Sequence, residues 1–131
     1  MDNLELIKSS LQQLLLQPPA DNAFLIIEQR PSGKFVQFIG STSDPLFLDL
    51  PWQTLSEQEF YRAVGYFKRF GASGEELDQF DEQGLPVEKG FSFQMTIPSI
   101  EMAVEVAWGV FERVYLFSKT CNLAVTESWN S

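Results

Sequence analysis

The sequence predicts an α+β domain in which helices pack on one face of an antiparallel sheet. Apolar residues recur every three or four positions in some segments and alternate in others, which is typical of amphipathic helices and of half-buried strands. Short turn-rich connections favour antiparallel pairing. The predicted order is α-β-β-β-α-(β)-β-α-(β), with the bracketed strands optional. The length of 131 residues and the 44% apolar content predict a single domain over residues 1–131.

The first half of the chain predicts one helix followed by three strands. Residues 4–15 place leucine and isoleucine at helical spacing, behind Asp2 as an N-terminal cap and before two prolines that stop the helix. Residues 23–39 are β-favouring at both ends and contain a Pro-Ser-Gly-Lys turn, so they predict a hairpin. Residues 46–50, which precede Pro51, predict a third antiparallel strand.

A second helix is predicted after this sheet segment. Ser56 precedes Glu59 by three residues, which is the spacing of a capping box, and Gly71 is a natural terminator. Residues 72–90 contain glycine, proline and many acidic side chains, and they indicate a long connection. A short strand at residues 77–81 is the optional element within it.

The last third of the chain predicts a strand, a helix and a second optional strand. Residues 91–97 alternate apolar and polar side chains, as a strand with one buried face does. An apolar stripe then predicts a helix from residue 100 to about Ser118. Residues 122–126 could form an edge strand, although the domain core is expected at about residues 4–118 with a C-terminal tail at 119–131 that frays at its end.

Charge and composition exclude several functions. Eighteen acidic residues oppose nine basic ones, so the net charge of −9 disfavours nucleic acid and membrane surfaces as partners. The absence of histidine excludes catalytic triads that need histidine, and it excludes zinc sites that have histidine ligands. The lone Cys121 is interpreted as a buried small apolar residue, with a reactive thiol as the minor alternative because no histidine is present to activate it. We therefore expect a cytoplasmic protein with no catalytic residue, no metal and no cofactor.

Carboxylates remain the only abundant chemical groups. A dense acidic cluster occupies residues 75–88, but its spacing does not match a calcium-binding loop. A solvated acidic loop is therefore the preferred interpretation, and weak cation binding is the minor alternative. Asp49 lies among apolar residues, where a catalytic acid is one interpretation and a solvent-facing strand position is the preferred one. A histidine-free carboxylate enzyme is thus a minor alternative.

The first three strands carry more large apolar side chains than one buried face needs. One face is predicted to contact the helices through Leu25, Ile27, Val36, Phe38, Leu46, Leu48 and Leu50. The opposite face then carries Phe24, Ile26, Phe35, Ile39 and Phe47 together with Glu28, Gln37 and Asp49. Because helices on one side leave this second face bare, it requires a subunit, an extended peptide or one of the chain's own helices as cover.

The order of elements, the runs Phe-Val-Gln-Phe at 35–38 and Leu-Asp-Leu-Pro at 48–51, and a helix at 59–70 ending in Gly71 support a family resemblance. The chain resembles the type III secretion chaperone and YbjN-like fold, and more specifically the bacterial TY-Chap domains, over residues 4–118. This resemblance implies a sheet that captures an extended segment of a client protein, often in a homodimer, without catalytic residues or cofactors.

The sequence therefore predicts a peptide-binding, chaperone-like module. Its candidate contact residues are Phe24, Ile26, Phe35, Gln37, Ile39, Phe47 and Asp49. The alternative is an acidic inhibitor or immunity-type protein that covers a basic surface of a partner enzyme through Asp78, Asp81, Glu82 and Glu88.

Overall fold

A computed structural model of the chain describes residues 2–18, 23–51, 54–70 and 92–128. Its elements are α1 (Asn3–Leu15), β1 (Phe24–Gln29), β2 (Phe35–Ile39), β3 (Leu46–Pro51), α2 (Glu57–Lys68), β4 (Ser92–Ile97), α3 (Ile100–Gly109) and β5 (Leu123–Ser128). The α+β class and the predicted order of these elements are confirmed. The optional strand at residues 77–81 and the acidic cluster lie outside the described residues.

The five strands form one open antiparallel sheet in the order β4-β3-β2-β1-β5. β5 is the predicted edge strand, and it extends two residues beyond the predicted limit of Thr126 because all six of its residues pair with β1. Glu127 and Ser128 therefore belong to the sheet instead of to a frayed end.

The N-terminal ends of α1 and α2 are fixed by side-chain caps. The Asp2 carboxylate accepts a hydrogen bond from the Glu5 backbone N–H at 2.8 Å. Ser56 and Glu59 form the complete predicted capping box. The Glu59 carboxylate also accepts a hydrogen bond from the Lys34 ammonium at 2.7 Å, so the β1–β2 turn is tied to the first turn of α2.

The third helix ends earlier than predicted. α3 continues into a π-helical turn at Val110–Val114, and Leu116 then adopts a positive φ of 63°. The Phe117 N–H donates to the Phe111 carbonyl at 2.8 Å across this residue, as in a Schellman-type helix end. The left-handed residue redirects the backbone, which is why the predicted helix to Ser118 is wrong.

The core lies between the three helices and one face of the sheet. The seven side chains assigned to that face from the sequence are all buried, at 0–2% exposure. They pack against apolar residues of every helix, including Ile7 and Leu11 of α1, Phe60 and Phe67 of α2, and Phe111 beyond α3. This face is called the inner face below.

Candidate functional site

The outer face of the sheet is the side turned away from the helices, and it carries all seven predicted contact residues. Alternation along β1, β2 and β3 puts every second residue there. None of these seven side chains is fully buried, and Ile39 is 41% exposed. Within the described part of the chain, the outer face therefore reaches solvent while the inner face does not.

Strand register gathers three apolar side chains into one row. Phe24 of β1 lies opposite Ile39 of β2, and Ile39 lies opposite Phe47 of β3. The row continues to Ser128 on one side and to Thr96 on the other, so it ends in a hydroxyl at each edge of the sheet. The result is an apolar strip that crosses the three central strands.

A mostly polar row lies beside this apolar row. Ile26 pairs with Gln37, Gln37 with Asp49, and Asp49 with Gln94. The Gln94 amide donates to the Asp49 carboxylate at 3.2 Å. The amide and carboxylate groups are half-buried, so they can exchange hydrogen bonds with a ligand backbone laid across them.

Phe35 stands at a corner of the outer face, opposite Glu28 of β1. Its backbone carbonyl accepts a hydrogen bond from the Tyr115 hydroxyl at 2.6 Å, which links β2 to the end of the helical layer. Burial raises the pKa of Tyr115, so this hydroxyl stays protonated as a donor. Glu28 in turn forms a surface ion pair with Arg30 at 3.2 Å.

Asp49 and Cys121 are the two residues for which the sequence left a reactive role open. The partner that the structure gives to Asp49 is an amide, which supports the solvent-facing interpretation of this residue. Within the described ranges, no three acidic, cysteine or histidine side chains converge as metal ligands. Cys121 is half-buried, and its pKa is raised by burial, which disfavours the reactive thiolate.

Sequence reasoning missed the polar borders of the outer face. Gln94, Thr96, Thr126 and Ser128 share it, but only strand pairing shows which neighbours they have. The alternation in residues 91–97 indicated a wet side for β4, yet it carried no information that β4 lies beside β3. The four candidate residues of the acidic alternative lie outside the described residues.

No protein-family model, curated protein or solved structure matches the chain. None of the helices that the structure describes is both long enough and apolar enough to cross a membrane.

Proposed function

We propose that this chain is a non-catalytic, chaperone-like module that binds an extended segment of a client protein on the outer face of its sheet. The observation that carries the proposal is the row formed by Phe24, Ile39 and Phe47, which is apolar, continuous across three strands and incompletely buried, with Ile39 exposed. An apolar strip of this kind is costly to leave in water unless a partner covers it.

The geometry of the outer face suits an extended ligand. The apolar row spans two inter-strand spacings, or roughly 10 Å, which accommodates two or three side chains of an extended chain. Gln37, Asp49 and Gln94 run parallel to it and supply donors and acceptors for the ligand backbone. The apolar row would thus provide affinity, and the polar row would fix the orientation of the bound segment.

The resemblance to TY-Chap domains supports the same proposal, because those domains capture client segments on a sheet. It also implies a homodimer, which we include in the proposal together with a cytoplasmic location. Nucleic acid and membrane surfaces remain disfavoured partners because the chain carries a net charge of −9.

A permanently unfolded protein, reduced and carboxymethylated so that it cannot refold, is a suitable probe. The variant Phe47→Ser should weaken its capture about tenfold or more, because a buried phenylalanine contact is worth roughly 1.5–3 kcal/mol. The control Leu16→Ser removes a side chain that is 67% exposed on the other layer of the fold, and it should leave capture unchanged. Circular dichroism would verify that both variants fold.

Equal loss of capture in both variants, or no loss in Phe47→Ser, would contradict the proposal. Salt distinguishes the proposal from the acidic-inhibitor alternative, because moderate salt should leave capture through apolar contacts unchanged and should weaken capture through charged ones.

Solution mass measured over a range of concentrations tests the homodimer. A mass that remains that of one chain would refute that part of the proposal alone.

A further inference from the structure

An open groove of about 410 Å³ lies between α2 and the end of α3, on the helical layer and away from the outer face. Arg62, Gly65 and Arg69 line it from α2, and Arg113 and Leu116 line it from the segment after α3. We call it the arginine groove. It holds three of the four arginines in a chain that has twice as many acidic as basic residues.

The three guanidinium groups of the arginine groove differ in the contacts that hold them within the described part of the chain. The Arg62 side chain donates from Nε to the Val114 carbonyl at 2.8 Å, which holds it at the groove wall. Among the described residues, neither Arg69 nor Arg113 forms an ion pair. The lining contains one carboxylate, that of Glu112, against three guanidinium groups. Arg69, Arg113 and Glu112 also line a neighbouring cavity together with Glu101 and Glu105, so the excess of positive charge applies to the lining of the groove alone.

Helix electrostatics explain only part of this cluster. A cation at the C-terminal end of a helix is favourable, and Lys68 and Arg69 occupy that position in α2. Arg113 lies in the last turn of the π-helical segment, where a cation is equally favourable, whereas Arg62 lies in the middle of α2. Helix electrostatics therefore favour cations at positions 69 and 113, but they do not account for Arg62, the third guanidinium group of the groove.

Two features of the groove, a glycine inside α2 and a leucine with a positive φ, are unfavourable for folding but would favour ligand binding. Gly65 lies inside α2, where glycine weakens a helix, yet nothing is within 4 Å of the position that a Cβ would take. Leu116 has a positive φ, where glycine is the ordinary residue, and its side chain is 63% exposed. Packing explains neither choice, whereas a bound ligand needs the space at Gly65 and the apolar contact at Leu116.

We propose that the arginine groove binds an acidic peptide segment. Carboxylates of the peptide pair with Arg69 and Arg113, with Arg62 as the fixed third donor, and a neighbouring apolar side chain of the peptide packs on Leu116. Arginine is suited to this task because its planar guanidinium binds a carboxylate through two parallel hydrogen bonds. The missing side chain at Gly65 lets the peptide backbone approach the helix closely. This site is independent of the outer face.

Selection from a random dodecapeptide library identifies ligands without a known partner. Peptides that the native chain selects and the double variant Arg69→Gln/Arg113→Gln does not should be enriched in Asp and Glu next to a large apolar residue. A selected peptide, once synthesised, should bind the double variant Arg69→Gln/Arg113→Gln at least tenfold more weakly. The control Lys68→Gln removes one positive charge one residue from the groove lining, and it should alter affinity less than twofold, whereas the single variant Arg69→Gln should already weaken binding severalfold.

Two further variants separate binding from folding. Gly65→Gln fills the groove with a better helix former, and Leu116→Gly relieves the positive φ. Both variants should keep or raise the melting temperature of the protein. Both should also lower its affinity for the peptide at least severalfold. The proposal would be overturned if native chain and double variant selected the same peptides, or if the peptides that only the native chain selects were not enriched in Asp and Glu. Self-association abolished by the double variant would overturn it in favour of a second copy of the chain.

Discussion

The two faces of the central strands carry similar residues but have different surroundings. On the inner face Leu25, Val36 and Phe38 are completely buried, whereas on the outer face Ile39 is 41% exposed and Phe47 is half-buried. Side-chain alternation assigns residues to faces, but only a packed second layer removes a face from water. The same residue type is therefore core on one side and available contact surface on the other.

Specific contacts hold the helical layer over the inner face. Lys34 links the β1–β2 turn to Glu59 of α2, and its ammonium also donates to the Thr54 carbonyl at 3.1 Å. Tyr115 links the end of the helical layer to β2 through the Phe35 carbonyl. These contacts give the inner face its cover, and each offers a way to test the contrast between the faces.

The largest effect is expected from truncating one phenylalanine on each face. Phe38→Ala opens a cavity in the buried inner face and should lower the free energy of unfolding by about 3–5 kcal/mol. Phe47→Ala removes a side chain that is only partly buried and should cost about 1 kcal/mol. Urea denaturation followed by circular dichroism measures both. Equal losses would show that the outer face is as well covered as the inner one.

A smaller effect tests how closely α2 and α3 must approach to cover the inner face. A Cβ at Gly109 would overlap the hydroxyl and ring of Tyr66, whose hydroxyl donates to the Val106 carbonyl at 3.2 Å. Gly109→Ala should therefore lower the free energy of unfolding by about 2–3 kcal/mol. Thermal or urea unfolding of the variant measures this loss.

Gly65→Ala is the matched control, because the space around Gly65 is open. This substitution should stabilise α2 by up to about 1 kcal/mol, since alanine is the better helix former. Combining Gly109→Ala with Tyr66→Leu should recover part of the loss. The contact would be refuted if both glycine variants changed stability equally, or if the double variant were no better than Gly109→Ala alone.

The smallest effect concerns how the stability contributed by the Lys34–Glu59 contact depends on pH. Burial alone would raise the pKa of Glu59, but hydrogen bonds from Lys34 and Ser56 outweigh it and hold the pKa below its ordinary value of 4.5. Because the folded-state pKa is the lower one, this stabilisation is present above pH 4.5 and is lost as the pH falls through the folded-state value. Glu59→Gln should then cost about 1 kcal/mol at neutral pH and progressively less in acid.

Glu57→Gln provides the control, since Glu57 is an exposed carboxylate in the same first turn. It should change the free energy of unfolding by less than about 0.5 kcal/mol at any pH. Unfolding curves of the two variants and the native chain, recorded at neutral pH and at about pH 3, give the free energies of unfolding that test this role. A constant difference between Glu59→Gln and the native chain across this range would contradict the assigned role.

Local patterns predicted most of the fold. Alternation placed all seven inner-face residues correctly, and the Ser56–Glu59 spacing located the start of α2. The end of α3 was mispredicted because a π-helical turn and a left-handed leucine have no marker in the sequence. The order of strands in the sheet was equally inaccessible, because pairing of β4 with β3 and of β5 with β1 depends on distant segments.

The sequence likewise predicted only part of each candidate site. The outer face could be assembled from period-two alternation, but its rows required the register between strands. The arginine groove had a partial signal, since Arg62, Gly65 and Arg69 share one side of a predicted helix. Arg113 and Leu116 joined them only through tertiary packing, which no local spacing encodes.

The arginine groove lies on a chain whose net charge is −9, and this has a kinetic consequence. Beyond a screening length of about 8–10 Å, an approaching acidic peptide meets the repulsive field of the whole molecule, and only at shorter range does it meet the guanidinium groups. Added salt therefore speeds its encounter with the groove while also speeding its release. Acidic ligands should bind most tightly at intermediate ionic strength, whereas a basic ligand would associate fastest in the absence of salt.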